Sequence, residues 1–107
     1  NFSLYNLMGG YTLTPAYDML NEAILNPKDD EELALTLNGK KKKLKRSDFI
    51  SAGITMGVEQ KTVERLILKY VRLQPQMDEM INKSFLTEEL KKEYIELLGR
   101  RLSQIIK

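Results

Sequence analysis

The 107-residue sequence contains no cysteine, no histidine and no tryptophan. The first absence excludes disulfides and thiolate metal sites, and it suits a reducing, cytoplasmic location. The second removes histidine general-base catalysis and imidazole-bound zinc, so any metal here is a hard cation on oxygen ligands. Long apolar runs are also missing. Nothing approaches the roughly 20 residues that cross a bilayer, so no membrane partner is expected. Nor is there an excess of charge of one sign: 17 Lys and Arg against 15 Asp and Glu leave +2, too little by itself to imply a polyanionic partner.

What remains is ordinary globular material, 42% apolar and 30% charged, which argues against intrinsic disorder. A chain of this length makes one small domain or a piece of a larger one and buries only about 60 to 65% of its unfolded surface. A thin core follows.

Polarity changes character twice along the chain. Residues 2–7 and 11–14 are short, Leu- and Tyr-rich, and separated by Gly9-Gly10, which can supply the positive φ of a tight reversal. Pro15 ends the second strand because it cannot donate to a ladder. "AYDMLNEAIL" reads as a short helical or irregular turn closed by Asn26-Pro27. A second hairpin is predicted around Asn38-Gly39, the strongest two-residue hairpin signal, with Leu37 facing Lys40, Leu33 facing Leu44, Glu32 facing Lys45 and Glu31 facing Arg46.

From Ser47 the apolar period changes from 2 to 3.6. Phe49, Ile50 and Ile54 mark a helix stopped by Gly57. Val63, Leu66, Ile67, Tyr70 and Val71 form the stripe of a second, broken near Gln74 by Pro75, and Met77, Met80 and Ile81 face a third. Thr87 caps a fourth, with Glu88 and Glu89 at its positive end and Arg100, Arg101 and Lys107 at its negative end. Leu90, Tyr94, Leu97, Leu98, Leu102, Ile105 and Ile106 give it an apolar stripe. Core packing is the plainer reading of these stripes, a groove for a partner helix the other. The fold class is therefore α+β and mostly α: two small β-hairpins in residues 1–46, then a bundle of about four helices in residues 47–107, as one partial domain.

The run "GKKKKLKR" at residues 39–46 is the most conspicuous local bias. Nucleic-acid grips interleave aromatics and sit on strongly basic domains. Here the acidic "DDEE" of residues 29–32 faces the run, and a solvated, edge-protecting strand is the favoured reading over direct nucleic-acid or membrane contact through Lys40–Arg46.

Strands of about six residues rise about 3.3 Å per residue, so the first hairpin carries the chain out and back by similar distances, and Asn1 and Asp18 end near each other. Protein kinases place metal ligands this way, an Asn before a hairpin and an Asp after it. The letters strengthen the comparison. "NFSLYN", "YTLTPAYDML" and "LALTLNGKKKKLKRSDF" together resemble the C-terminal part of HipA-like kinases, the serine/threonine kinase toxins of bacterial type II toxin–antitoxin systems. N-F-S closes that family's catalytic loop, L-T-P-A-Y-D supplies its second metal-binding carboxylate, and A-L-T-L-N-G-K is its second hairpin. The resemblance covers essentially the whole chain, the helices after Ser47 in pattern more than in letters.

It implies that Asn1 and Asp18 are Mg²⁺ ligands, with Pro15 and Tyr17 shaping their surroundings. It also implies Mg²⁺ and ATP as cofactors, a protein substrate, and a DNA-binding antitoxin as partner. The family's catalytic aspartate would stand five residues before Asn1, and its nucleotide-holding lysine and phosphate loop further upstream. No catalytic residue therefore falls in this sequence, and no glycine-rich phosphate loop occurs in it. The resemblance implies the distal half of a kinase C-lobe, inactive alone, whose N-terminal hairpin self-associates for want of its neighbours. The alternative is a stand-alone helical interaction module whose basic hairpin binds protein or nucleic acid.

Overall fold

Leu4–Leu7 (β1) and Gly10–Leu13 (β2) pair antiparallel, with Leu4 opposite Leu13 and Leu7 opposite Gly10. In this computed structural model, which describes residues 1–17 and 19–107, the turn is centred on Met8 and Gly9, at φ 53° and 82°. Two positive φ values match the natural twist of the strands. The reversal lies one residue earlier than Gly9-Gly10 suggests, because a single glycine suffices and Gly10 is needed as a strand residue. This register lets the Thr14 N–H continue the ladder to the Ser3 carbonyl at 2.8 Å. All eight strand residues are exposed, and no described helix approaches them.

The second reversal keeps its predicted centre and loses its length. Asn38 and Gly39 adopt φ 50° and 73°, and Leu37 and Lys40 exchange backbone hydrogen bonds of 2.8 and 3.0 Å. Beyond that one bridge the ladder stops. The N–H groups of Glu32 and Leu33 both donate to the Lys41 carbonyl, so Leu33 does not face Leu44, nor Glu32 Lys45, nor Glu31 Arg46. Two features break the expected strand. Lys43 takes φ 55°, and the Glu32 carboxylate draws in the N–H groups of Lys43 and Leu44 at 2.9 and 3.1 Å. A side chain thus replaces the partner strand.

Glu22–Leu25 (α1) is a single turn capped by the Asn21 carboxamide, which accepts from the Ile24 N–H at 3.3 Å. Arg46–Thr55 (α2) starts where the Asp48 carboxylate accepts the Lys45 N–H at 2.9 Å. It ends in a Schellman motif: Gly57, at φ 81°, donates to Ile54, and Val58 donates to Gly53. After four residues Gln60–Arg72 (α3) begins. Its stripe is only partly covered: Ile67 is buried, while Leu66 and Tyr70 stay about half exposed. Pro75 does more than stop α3. It lies in the first turn of Gln74–Lys83 (α4), where its missing N–H costs nothing, so the two helices are separated by Leu73 alone.

Glu88–Ile106 (α5) is capped by Thr87 Oγ1, which accepts from the Leu90 N–H at 3.3 Å. Its last turn holds no cation, because the helix runs on to Ile106, past Arg100 and Arg101, and Lys107 is its C-cap; Arg101 pairs with Glu32. Helix α5 packs against α1, α2, α3 and α4, and the buried core of Leu44, Ala52, Ile67, Leu97 and Leu102 gathers around it. Gly53 makes the α2–α3 contact close: a Cβ there would collide with a Val63 methyl. The result is an α+β chain, mostly helical, with a two-stranded hairpin outside a helical bundle.

Candidate metal-binding hairpin and its surroundings

Pro15 cuts the ladder just after Thr14, and the hairpin base is closed by side chains. Ser3 Oγ and the Tyr17 hydroxyl are hydrogen-bonded at 2.7 Å, so Ser3 is tied to Thr14 by backbone and to Tyr17 by side chain. The Tyr17 side chain therefore returns to the base of the hairpin. Of the two expected ligands, Asn1 precedes this base and Asp18 lies outside the described residues. Thr14 Oγ1, at the same base, is buried with no hydrogen-bond partner among the described residues. Those residues include no cluster of three or more carboxylates able to cage a metal ion.

The charged loop between α1 and α2 is built for structure. Asp48, at 2% exposure the most buried side chain, accepts from Lys40 Nζ at 2.8 Å, Asn38 Nδ2 at 2.9 Å and the Lys45 N–H. Those hydrogen bonds, Lys40 first, hold its carboxyl down to about 2 against the effect of burial. Lys41 pairs with Glu31 and Lys42 with Asp30, the latter lowering the Asp30 carboxyl. With three of its lysines paired, the 40–43 run favours the solvated-edge reading.

Glu32 is the second anchor. Burial works to raise its pKa, but Gln104, the N–H groups of Leu44 and Lys43, and Arg101 outweigh it and the carboxyl is lowered. Gln104 Nε2 donates to both Glu32 oxygens at 2.9 and 3.0 Å and to the Leu44 carbonyl at 2.6 Å. Arg101 Nη1 lies 3.0 Å from Glu32 Oε1. The last turns of α5 are thereby clasped to the loop. Composition and periodicity gave no hint of this, since the partners lie 72 residues apart and Gln104 looks like any surface glutamine.

Carboxyls that titrate lower when folded than when unfolded contribute stability above their unfolded range and lose it as pH falls through the folded value. The melting temperature is expected to be level from pH 7 to about 5, then to fall between about pH 4 and 2 as Asp48 and Glu32 take up protons. Circular dichroism melts at stepped pH check this. A melting temperature unchanged down to pH 2 would contradict the anchoring role of both groups.

No family model matches the chain, and no curated protein matches it. Among the described residues no helix is long and apolar enough to cross a membrane.

Proposed function

We propose that the chain is the distal part of the C-terminal lobe of a HipA-like serine/threonine kinase, the toxin of a type II toxin–antitoxin pair acting in the cytoplasm. The observation that carries this reading is the hairpin base, where the Ser3–Tyr17 hydrogen bond draws "NFS" and "PAY" together and so supports a shared site for Asn1 and Asp18. Asn1 offers a neutral carboxamide oxygen and Asp18 a charged carboxylate, a donor set that fits Mg²⁺. The ion, when bound, neutralises charge on ATP phosphate oxygens. The two side chains hold and orient it, and the hairpin fixes their separation. Deprotonating the substrate hydroxyl and gripping the nucleotide fall to residues outside this sequence. A protein hydroxyl is the substrate and a DNA-binding antitoxin the partner.

Calorimetric titration with Mg²⁺ and ATP tests the division of labour. The 107-residue chain is expected to show no micromolar affinity and no phosphate transfer, and a protein extended through the catalytic loop and nucleotide lobe to show both. Micromolar binding by the chain alone, or none by the extended protein, would sink the proposal.

The same reading covers the exposed hairpin. Leu4, Leu7, Tyr11 and Leu13 are 58 to 76% exposed, and each Leu-sized side chain buried is worth about 1.5 to 3 kcal/mol. The chain by itself is therefore expected to self-associate through β1 and β2, by edge pairing or segment exchange. Light scattering at rising concentration checks it, and a monodisperse monomer at high concentration would refute it.

A further inference from the structure

The lysine run draws the eye in the sequence, yet four of its six cations are paired, and a regular row of cations unpaired among the described residues lies on α3. Lys61, Arg65, Lys69 and Arg72 fall on one face of α3 at i, i+4, i+8 and i+11, within an arc of about 80° over about 16 Å of helix. All four are exposed, and none makes an ion pair among the described residues, whereas Lys40, Lys41, Lys42 and Arg46 all do. No acidic side chain stands on that arc: Glu64, at its edge, is engaged by Arg46 and Gln60. The opposite face of α3, centred on Ile67, turns inward to the bundle.

How α3 is mounted gives this face a use. Helix α2 reaches it through four residues, 56–59, with Gly57 at φ 81°, and Gly53 lets the two helices meet at Val63 without a Cβ between them. A three- to four-residue turn containing glycine, followed by a helix with an open polar face, is the connection used in helix-turn-helix units, whose second helix sits in the major groove. That groove, about 12 Å wide, admits one α-helix, and duplex DNA presents a phosphate charge about every 1.7 Å along its axis.

We propose that α2 and α3 form a helix-turn-helix unit that binds duplex DNA, with α3 in the major groove. Lys61, at the N-terminal end of α3, reaches toward base edges, and Arg65, Lys69 and Arg72 contact phosphates. This rests on residues separate from the hairpin and stands whether or not the kinase reading does. The same four cations, with Glu64, Leu68 and Leu73, line an open concavity of about 590 Å³. The spacing of the charges along about 16 Å of helix suits a regular polyanion, and the polyglutamate competitor separates duplex DNA from an acidic protein.

The test is fluorescence anisotropy of the 107-residue chain with a 30-base-pair mixed-sequence duplex over a KCl series, with single-stranded DNA of the same length and a polyglutamate peptide as competitors. Glutamine at all four positions keeps helix propensity on a solvent face, and circular dichroism verifies the fold. Lys61→Gln/Arg65→Gln/Lys69→Gln/Arg72→Gln is expected to weaken duplex binding at least ~10-fold and to flatten the log–log salt slope by about 3 to 4, near 0.9 per lost contact. Lys41→Gln/Lys42→Gln should change affinity less than about 3-fold, because both lysines are already paired. The proposal is overturned if the fourfold variant binds as the parent does, if the lysine-run variant loses as much, or if polyglutamate or single strands compete as well as duplex.

Discussion

Replacing Asp18 by Ala, in a protein that carries the upstream catalytic loop, is expected to abolish phosphoryl transfer, and Asn1→Ala to lower it by about 10²- to 10³-fold, the cost of removing one preorganised electrostatic group. Both effects follow from the proposed metal role of the two side chains. Mg²⁺ held by one or two protein groups has nothing in reserve when a ligand is lost. The carboxylate matters more than the carboxamide because it brings formal charge to the cation. Neither change should alter the fold, since the hairpin is held by its own backbone ladder and by Ser3 and Tyr17. Melting temperatures should stay within the spread of surface substitutions, roughly 0.5 kcal/mol in stability. Transfer of labelled γ-phosphate to a protein hydroxyl gives the readout. Retained autophosphorylation by the Asp18→Ala protein would remove the basis for the metal role.

The largest loss of stability is expected from Glu32→Ala. Its side chain is 12% exposed and receives the Lys43 and Leu44 N–H groups, Gln104 and Arg101. Truncation leaves the two backbone donors without an acceptor, while the Gln104 amide keeps only the Leu44 carbonyl. Each unsatisfied buried group costs about 1 to 3 kcal/mol, so a total of about 2 to 4 kcal/mol is expected after partial rehydration. A small domain has only about 5 to 15 kcal/mol to lose. Glu32→Gln, which keeps one acceptor oxygen, should recover part of it. Urea unfolding of the three proteins gives the order parent, Gln, Ala, and an Ala variant as stable as the parent would show that the clasp to α5 contributes nothing.

Local chemistry was legible in the sequence wherever one residue decides the backbone. Asn38-Gly39, Gly57, Pro75 and Thr87 each act within four residues, and each sits where its type predicts. The second hairpin was misjudged because the prediction extended the turn's register outward along alternating residues, while Glu32 bonded backbone instead of facing a lysine. Arg100, Arg101 and Lys107 were assigned to the end of the last helix by proximity in sequence; Lys107 is its C-cap, while Arg100 and Arg101 fall before the last turn and Arg101 pairs with Glu32. Asp48 carried a faint signal, an acid three residues into a helix, but its other partners, Asn38 and Lys40, come from a turn that sequence alone does not dock. At the candidate metal site, strand lengths gave an expectation that Asn1 and Asp18 end close together; Asp18 lies outside the described residues, and the Ser3–Tyr17 contact was not foreseen.

The clasp between Glu32 and Gln104 also sets an order of events as the chain is synthesised from its N-terminus. The turns at Met8-Gly9 and Asn38-Gly39 and the α2–α3 pair depend on near neighbours and can form as soon as they emerge. The loop around Glu32 cannot be fixed in place until the last turns of α5 exist, 72 residues later. Until then the Lys43 and Leu44 N–H groups lack Gln104's support, and Leu44, the most buried apolar side chain, has no lid. Completion of the core thus waits for residues 101–104, and losing the last turns of α5 would undo the loop around Glu32.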